Sequence, residues 1–423
     1  MIDVILGLQW GDEGKGKVAD FLTPRYQTVA RFQGGPNAGH SLEFNGNKVV
    51  LNTIPSGIFH PNCLNVIGNG VVVDPVRIKD EINRTIQFGA NPIKNLVFSK
   101  KATIILPTHR LLDAASEHAK GDSKIGSTLR GISPAYIDKI GRNALKLGDI
   151  FFDDFEKQYD KIKNIHLQQI QYLGYSDFDL TVLETEFFDA IAFLKKFNFD
   201  DTEYLINEQN ISGKNILAEG AQGSMLDIDF GSYPYVTSSN TTSGGVCTGL
   251  GIAPNSINSV SGIFKAYCTR VGSGPFPTEL EDETGEFLRK KGHEFGATTG
   301  RPRRTGWLDL VALKYAIMLS GVKKLMMMKA DVMSGMETVK ICTAYNVNGI
   351  ISDKVPSNLC NSKVEPVYTE FKGWQEDITT CRTKESLPIE FLEYIQFIEN
   401  YTGIPIVLIS VGPDREQTIL ANF

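Results

Sequence analysis

The sequence lacks paired cysteines. Its six cysteines are widely separated, no two stand as Cys-x-x-Cys, and their positions are Cys63, Cys247, Cys268, Cys342, Cys360 and Cys381. This spacing indicates neither a zinc site nor a disulfide framework. We therefore expect reduced thiols in a reducing compartment.

The sequence also lacks long hydrophobic runs. No stretch approaches the ~20 consecutive apolar residues that cross a bilayer. The N-terminus has no basic segment followed by an apolar run and a small-residue cleavage site. An excess of positive charge is missing too, since the formal net charge is -6. These absences argue against nucleic acid and membranes as partners, and they predict a soluble cytoplasmic protein.

The chain is long and apolar enough to bury a large core, with 423 residues of which 42% are hydrophobic. In its N-terminal part, short apolar runs alternate with helical spacing. Residues 3–8 and 28–33 are predicted strands, residues 17–22 begin a helix, and a buried strand at 65–73 precedes a helix at 75–88 capped by Asp74. The alternation predicts an α/β fold with a large, mostly parallel central sheet flanked by helices, similar to P-loop NTPases.

The rest of the chain continues this pattern around a helical interval. Residues from about 108 to 210 are mainly helical, and we interpret 151–210 as a peripheral elaboration. Residues 307–318 predict a helix, and residues 324–328 and 404–409 predict strands followed by loops. In open parallel sheets the ligand lies beyond the carboxyl ends of the strands, where such loops collect. Because there is no internal repeat or linker, we expect residues 1–423 to form a single domain.

A glycine-rich loop follows the first predicted strand, and its residues 11–17 have the pattern G-x-x-x-x-G-K. Backbone N–H groups in such a loop and the N-terminus of the next helix surround phosphate. Val18 stands where a P-loop has Ser or Thr, so the usual magnesium-binding hydroxyl is missing. Asp12 would repel an anion unless it binds magnesium or accepts a proton. A glycine-rich turn with solvated charges is the alternative.

A second glycine-rich loop ends at His40. Gly34, Gly35 and Gly39 allow the backbone to approach a ligand, and they leave an imidazole at the edge of the loop. A lone histidine is more often structural than catalytic. The loop alone does not decide between these two roles.

Residues 296–304 concentrate arginines and hydroxyls in the sequence Gly-Ala-Thr-Thr-Gly-Arg-Pro-Arg-Arg. Arginine binds carboxylates and phosphates through paired hydrogen bonds, so the segment predicts a site for a small anionic substrate. A nucleic-acid patch is the alternative, but the segment is short and has no interleaved aromatic residues.

Lys329-Ala-Asp331 follows a predicted strand and resembles the base-reading element of GTP-binding proteins. In that element the carboxylate accepts hydrogen bonds from guanine, and the lysine stem lies along the ring. We interpret the three methionines before it, residues 326–328, as ordinary core packing.

Together these segments resemble the adenylosuccinate synthetase family over nearly the whole chain, least at residues 151–210. The first motif is Gln-Trp-Gly-Asp-Glu-Gly-Lys-Gly-Lys at residues 9–17. The other motifs that carry the resemblance are at residues 34–40, 131–136, 219–223, 233–245, 298–309 and 410–415. Their number and order make the resemblance specific.

The resemblance implies GTP-dependent ligation of L-aspartate to IMP, which gives adenylosuccinate, GDP and phosphate on the route to AMP. It implies that Asp12 removes the N1 proton of IMP, so that O6 attacks the γ-phosphate of GTP and forms 6-phosphoryl-IMP. His40 would donate a hydrogen bond to the transferring group. One Mg²⁺ per subunit would be held by Asp12, the Gly39 carbonyl and phosphate oxygens. The resemblance also implies a homodimer in which Arg142 enters the neighbouring site.

Three sets of binding residues follow from the resemblance. The IMP set is Asp12, Glu13, Gly14, Lys15, Asn37, Ala38, Gly39, His40, Thr128, Arg142, Gln222, Thr237 and Arg301. The aspartate set is Ala297, Thr298, Thr299, Gly300, Arg301, Pro302 and Arg303. The GTP set is Gly11, Asp12, Glu13, Gly14, Lys15, Gly16, Lys17, Gly39, His40, Ser41, Arg303, Lys329, Ala330, Asp331, Ser410, Val411 and Gly412.

Four positions depart from the family pattern. Leu129 and Ser133 stand where glycine is common, Ser41 where threonine is common, and Val411 where threonine is frequent. Leu129 and Ser133 would change the backbone near Thr128 if the family glycines have positive φ.

Two other functions are open to a chain with these motifs. A GTP-binding regulatory switch would need a segment ordered by the γ-phosphate, and it has no use for the arginines of residues 296–304 or for the pair of Asp12 and His40. An ATP-dependent ligase is disfavoured by Asp331, because adenine lacks the donors that this carboxylate would accept.

Overall fold

The computed structural model describes residues 1–44, 46–121, 125–296 and 300–421. Within these ranges the helices are α1 Lys15–Leu22, α2 Pro75–Gln87, α3 Pro92–Asn95, α4 Pro107–Lys120, α5 Ile132–Gly141, α6 Phe155–Tyr172, α7 Leu180–Leu194, α8 Thr202–Ile211, α9 Gly244–Leu250, α10 Glu283–Lys291, α11 Leu310–Ser320 and α12 Ile389–Thr402. None of these described helices is long and apolar enough to cross a membrane.

The strands in the same ranges are short, as expected for an α/β protein. They are β1 Ile2–Gly7, β2 Thr28–Arg31, β3 His40–Phe44, β4 Asn47–Leu51, β5 Leu64–Ile67, β6 Val72–Val73, β7 Leu96–Ser99, β8 Thr103–Ile104, β9 Asn198–Asp200, β10 Ile216–Glu219, β11 Ile257–Lys265, β12 Cys268–Arg270, β13 Arg304–Gly306, β14 Leu308–Asp309, β15 Lys324–Met328, β16 Thr338–Val347, β17 Ile350–Ser352, β18 Val364–Lys372, β19 Ile406–Ser410 and β20 Thr418–Leu420.

One large sheet organises the molecule. It has ten strands in the order β20-β19-β15-β11-β1-β10-β2-β5-β7-β9. Neighbouring strands are parallel throughout, except that β19 and β20 are antiparallel. The prediction of an α/β fold with a large, mostly parallel central sheet is confirmed.

Both faces of the large sheet are covered, because side chains alternate along each strand. On β1, Val4 and Leu6 join one hydrophobic core, whereas Ile5 joins another together with Val18 of α1. Burial on both faces explains why these strands are continuous apolar runs in the sequence. The methionines of β15 alternate in the same way and are core residues, as predicted.

The chain reverses its direction across the sheet around β1. After β1 it adds β2, β5, β7 and β9 on one side, returns to place β10 beside β1, and then adds β11, β15 and β19 on the other side. Ligands of open parallel sheets bind at the carboxyl ends of the strands near such a switch point. The loops after β1, β2, β10, β15 and β19 therefore collect at one edge, and these loops carry the motifs at residues 9–17, 34–40, 219–223, 329–331 and 410–415.

Helix α2 illustrates how local sequence sets an element boundary. Asp74 accepts hydrogen bonds from the backbone N–H groups of Val76 at 3.0 Å and Arg77 at 3.3 Å. Pro75 occupies the first helical position, where its missing N–H costs nothing. The predicted cap and helix are confirmed.

The structure corrects three local predictions. The strand expected at 65–73 is divided into β5 and β6, and the turn between them packs tightly, since a Cβ on Gly70 would lie 2.0 Å from the Phe32 carbonyl oxygen. The helix expected at 307–318 begins later, as α11, because residues up to Asp309 form β13 and β14. The interval 151–210 is not wholly peripheral. It contains β9, which pairs with β7, and helices whose side chains Phe155 and Phe187 are buried in the core.

Candidate active site

A carboxylate within the loop between β1 and α1 holds that loop in its conformation. Gly11 and Asp12 have φ values of 88° and 59°, in the left-handed region. The Glu13 carboxylate turns back and accepts hydrogen bonds from the N–H groups of Gln9 at 3.1 Å and Gly11 at 2.9 Å. Glu13 also forms a buried ion pair with Lys15. Backbone donors of the predicted phosphate loop are thus held in place from within the loop.

Glycines allow the loops at this edge to pack against one another. A Cβ on Gly16, in the first turn of α1, would lie only 2.7 Å from the Cβ of His40. A Cβ on Gly34 would lie 2.9 Å from Oε1 of Gln222, whose Nε2 donates to Asn37 at 3.3 Å. The loops after β1, β2 and β10 therefore meet, and they bring together residues that the motifs predicted separately.

His40 is buried against Glu219, the last residue of β10. Its Nδ1 lies 2.5 Å from Oε1 of Glu219. Glu219 also accepts hydrogen bonds from the backbone N–H of Ser56 at 2.8 Å and from its hydroxyl at 2.6 Å. Arg31 lies 4.0 Å from the same carboxylate. Glu219 therefore holds the imidazole of His40 in one orientation, and Ser56 and Arg31 hold Glu219 in place.

The charges around His40 decide where its proton lies. Burial lowers the pKa of His40, the charge of Arg31 lowers it further, and Glu219 opposes both. Burial raises the pKa of Glu219, but the hydrogen bond from His40 and the charges of His40 and Arg31 outweigh burial and leave that pKa lowered. Glu219 is thus ionised at neutral pH, and Nδ1 of His40 carries the proton between them.

Three buried polar atoms on predicted site residues have no hydrogen-bond partner in the described part of the chain. They are His40 Nε2, Gln222 Oε1 and Thr237 Oγ1. Leaving a buried polar group unsatisfied costs about 1–3 kcal/mol. Folded proteins satisfy nearly all such groups, so these three atoms are candidates for contact with a bound polar ligand.

Asp12, which is half-buried, belongs to a network of charges that includes the buried Glu294 and Lys265. Its Oδ2 accepts a hydrogen bond from Nε of Arg303 at 2.8 Å, and Nη1 of Arg303 donates to Glu294 at 2.6 Å. Glu294 also accepts from Nζ of Lys265 at 2.8 and 2.9 Å, and it lies 3.9 Å from Nζ of Lys329. The network joins the phosphate loop to the arginine segment and to the loops after β11 and β15.

Lys17 connects α1 to the loop after β19. Its Nζ donates to the Ser410 hydroxyl at 2.7 Å and to the carbonyl groups of Gly412 at 2.7 Å and Gln417 at 3.0 Å. Two parts of the predicted GTP set are therefore joined by one buried side chain.

Lys329 and Asp331 follow β15 in a short 3-10 turn. Lys329 has φ of 63°, and its Nζ donates to the Gly292 carbonyl at 2.5 Å. Burial raises the pKa of Asp331, against the opposing charges of Lys329 and Lys17. Burial in turn lowers the pKa of Lys17 to about 8, against the charge of Asp331, which raises it.

Comparison with known proteins identifies the family of this chain. The model of the adenylosuccinate synthetase family matches residues 4–419. The chain belongs to the adenylosuccinate synthetase family. It is 58% identical over 419 residues to the adenylosuccinate synthetase of Flavobacterium johnsoniae, with 99% of each chain covered. It is 57% identical over 419 residues to that of Bacteroides fragilis, with 99% of this chain and 98% of the relative covered.

A solved structure of this family has the same fold. The fully ligated adenylosuccinate synthetase of Plasmodium falciparum matches with a TM-score of 0.94 and 39% sequence identity, over 99% of each chain. The family assignment confirms the predicted reaction, GTP-dependent ligation of L-aspartate to IMP in AMP biosynthesis. It favours the ligase over the regulatory switch.

The aspartate loop expected from the family is described only at its ends. Ala297, Thr298 and Thr299 lie outside the described residues. Gly300, Arg301 and Pro302 are exposed, and the N–H of Gly296 donates to the Arg301 carbonyl at 2.8 Å. Arg303, at the end of the loop, is turned inward to Asp12.

Arg142 and Thr128 are exposed. Arg142 follows α5 with φ of 65° and lines a surface cavity of about 390 Å³ together with residues of α6. Among the described residues, its side chain makes no hydrogen bond or ion pair with the loops of Asp12 and His40. The structure therefore does not bring Arg142 into the site of its own chain.

The departures from the family pattern near Thr128 have different consequences. Leu129 has φ of 55°, in the region that glycine adopts without strain. Ser133 lies within α5 and accepts a hydrogen bond from the Ser238 hydroxyl at 2.7 Å. Of these two residues, Leu129 has the positive φ that would strain a residue other than glycine, and Ser133 does not.

Four residues of the site were not assigned a role from the sequence. They are Glu219, Arg31, Glu294 and Lys265. Glu219 begins the motif at residues 219–223, and a carboxylate at the end of a buried strand was the available signal. Lys265 ends β11 and Arg31 ends β2, so both carry a similar signal, a charged residue at a strand end, whereas Glu294 lies outside the strands and has none.

A second cluster of possible metal ligands lies outside this site. Nε2 of His109 on α4 and Nε2 of His166 on α6 each lie 2.9 Å from Oδ2 of Asp138 on α5. The backbone N–H of Leu106 donates to Nδ1 of His109 at 2.9 Å. Because an amide N–H only donates, neutral His109 carries its proton on Nε2 and has no lone pair there for a metal. The cluster is a hydrogen-bonded link between three helices.

Proposed function

We propose that the loops after β1, β2 and β10 carry out the phosphoryl transfer of this ligase, with Asp12 as the base. Asp12 takes the N1 proton of IMP, and O6 forms a bond to the γ-phosphorus of GTP. The bond from that phosphorus to the β–γ bridging oxygen breaks, which yields 6-phosphoryl-IMP and GDP. The amine of L-aspartate then attacks C6, loses a proton and expels phosphate.

The observation that carries this proposal is the set of unpartnered atoms His40 Nε2, Gln222 Oε1 and Thr237 Oγ1. All three belong to residues that the family resemblance assigns to IMP or to the transferring group. IMP and a phosphoryl group together offer the donors and acceptors that would satisfy these atoms.

The two ring nitrogens of His40 have different roles in this proposal: Nδ1 contacts the protein, and Nε2 contacts the substrate. Because Nδ1 donates to Glu219, Nε2 donates only when the ring carries a second proton. Burial and Arg31 oppose that proton in the free chain, whereas the negative charge of bound phosphates favours it. We assign His40 as the donor that stabilises charge on the transferring phosphoryl group.

Mg²⁺ fits the donor chemistry of the phosphate loop. It prefers oxygen ligands and is commonly held by one or two carboxylates together with substrate phosphates. One oxygen of Asp12 accepts from Arg303, and the other accepts no hydrogen bond among the described residues. We assign one ion per subunit to Asp12 and the Gly39 carbonyl, where it would neutralise charge on the phosphates.

The remaining substrates are assigned to the loops on either side. L-Aspartate is assigned to residues 297–303 on the family resemblance, and the guanidinium of Arg303 lies beside Asp12. Guanine is assigned to residues 329–331 and 410–412. The ionised carboxylate of Asp331 is acceptor-only, which suits the N1–H and 2-amino donors of guanine.

A homodimer is also proposed, in which Arg142 completes the IMP site of the partner. The exposure of Arg142 at the end of α5 supports this proposal. Residues 1–423 are proposed to form one domain, since the large sheet takes its central strand from the N-terminal part and an edge strand from the C-terminal part. The six free cysteines are compatible with the proposed cytoplasmic location.

Formation of adenylosuccinate, followed by absorbance, tests the proposal with purified protein, IMP, L-aspartate, GTP and Mg²⁺. Omitting each component in turn should abolish the product. Asp12→Asn should lower turnover by ~10²–10⁴-fold at an unchanged melting temperature, because a positioned base contributes that much. Turnover close to that of wild type would exclude Asp12 as the base.

A further inference from the structure

Glu294 is a fully buried carboxylate that lies between the arginine segment and α10. It is 0% exposed. It accepts hydrogen bonds from Nζ of Lys265, from Nη1 of Arg303 and from the hydroxyl of Tyr267. A carboxylate is costly to bury unless its oxygens are satisfied by donors, and here each oxygen has more than one.

Glu294 lies between three positively charged side chains. Nζ of Lys265, Nη1 of Arg303 and Nζ of Lys329 lie 2.8, 2.6 and 3.9 Å from it. Burial raises the pKa of Glu294, but the charges of Lys265, Lys329 and Arg303 outweigh burial and lower it to about 2. Without this carboxylate, the three cations would lie close together with too little negative charge between them.

Arg303 is the only one of these cations that also contacts Asp12 in the part of the chain that the structure describes. Its Nε donates to Asp12 at 2.8 Å and its Nη1 to Glu294 at 2.6 Å. A guanidinium has a planar, rigid fork of donors, so two carboxylates at different edges fix its plane as well as its position. Asp12 alone would leave Arg303 free to rotate about that contact.

We propose that Glu294 is a positioning residue for the ligation, which holds Arg303 in the orientation that serves both Asp12 and the aspartate substrate. This rests on the proposed function, because it takes Arg303 as the aspartate-binding arginine. Glu294 acts through Arg303 and not on the substrate. Removing the Glu294 carboxylate should therefore raise the KM for L-aspartate, the substrate assigned to Arg303.

The test is a double-mutant cycle on KM for L-aspartate. Glu294→Gln should raise this KM by about tenfold or more, since hydrogen bonds to charged groups are among the stronger ones. Arg303→Met should raise it as well. If Glu294 acts through Arg303, adding Glu294→Gln to Arg303→Met should change KM little further, because the contact is already absent.

A neighbouring ion pair supplies the matched control. Arg304, next in sequence, pairs with Glu279, and its Nε donates to that carboxylate at 2.6 Å. Glu279→Gln removes an arginine–glutamate contact from the same segment without touching Asp12, so its KM for L-aspartate should stay near that of wild type. Glu294→Gln with Lys265→Met removes one cation with the carboxylate, and it replaces the single variant if that does not fold.

The possible results separate the inference from the proposed function. If the effects of Glu294→Gln and Arg303→Met on KM simply add, Glu294 acts on the fold and the inference is wrong. An unchanged KM in Glu294→Gln overturns it as well. An unchanged KM in Arg303→Met refutes the assignment of Arg303 to L-aspartate, and the role of Glu294 falls with it.

Discussion

Replacing Glu219 by glutamine keeps the size of the side chain and removes its charge. The carboxylate accepts one hydrogen bond from Nδ1 of His40 and two from Ser56. Glutamine has one oxygen and one NH2 group, so it cannot accept the hydrogen bonds from His40 and the Ser56 hydroxyl at Oε1 and also the one from the Ser56 N–H at Oε2. His40 would lose the charge that favours its protonated form, and the hydrogen bond it makes would be to a neutral group at best.

The expected loss follows from the strength of that contact. A hydrogen bond to a charged group contributes ~1.5–3 kcal/mol. If this contribution is needed in the transition state, its loss lowers kcat by about 10- to 100-fold, since about 1.4 kcal/mol corresponds to a factor of ten. We therefore expect Glu219→Gln to fold and to turn over slowly.

The pH profile should change in a defined direction. Glu219 raises the pKa of His40, whereas burial and Arg31 lower it. The substitution removes the raising effect, so the pKa of His40 falls further below its ordinary value. Because Nε2 donates only when the ring is protonated, activity should be lost at lower pH on the alkaline side of the kcat profile.

The assay is kcat at saturating substrates across a range of pH, together with the melting temperature. Asp309→Asn is the matched control, since Asp309 is also a fully buried carboxylate and accepts hydrogen bonds from Ala312 and Tyr345. It should lose stability and keep the wild-type kcat. A Glu219→Gln variant with wild-type kcat and an unmoved pH profile would refute the role given to the pair of His40 and Glu219.

Two further substitutions test the guanine and dimer assignments. Asp331→Asn should weaken the use of GTP and improve that of XTP, because an amide offers one acceptor and one donor, and xanthine has a carbonyl in place of the 2-amino group. An unchanged ratio of kcat/KM values for the two nucleotides would place base reading in another loop. Arg142→Leu and Asp12→Asn homodimers should both turn over poorly. Subunit exchange between them should restore activity, since one site per heterodimer contains both wild-type residues, and no recovery after verified exchange would place Arg142 in the site of its own chain.

Features that depend on neighbouring residues could be predicted from the sequence. The cap formed by Asp74 and Pro75 and the glycine-rich loop before α1 each involve residues a few positions apart. The alternation of apolar runs and helical spacing was enough to predict a parallel sheet covered by helices. The order of the motifs along the chain was enough to predict the family.

Predictions failed where another part of the chain determined the local structure. Residues 307–309 have a helical pattern, but β14 at Leu308 and Asp309 pairs with β16 instead. Residues 198–200 form a strand because they pair with β7. In both places a tertiary partner outweighed local preference, which is weak for short segments.

The fold class, the family and the loops that carry Asp12, His40 and Asp331 could all be predicted from local sequence patterns and their order. Which side chains meet in those loops depends on how the strands are arranged in the sheet. Glu219 is separated from His40 by 179 positions, and Arg303 from Asp12 by 291. Local spacing contains no information about pairs so far apart, since their contact depends on which strands become neighbours. His40 meets Glu219 because β10 inserts between β1 and β2, and Asp12 meets Arg303 because the chain crosses β1 and returns on its other side.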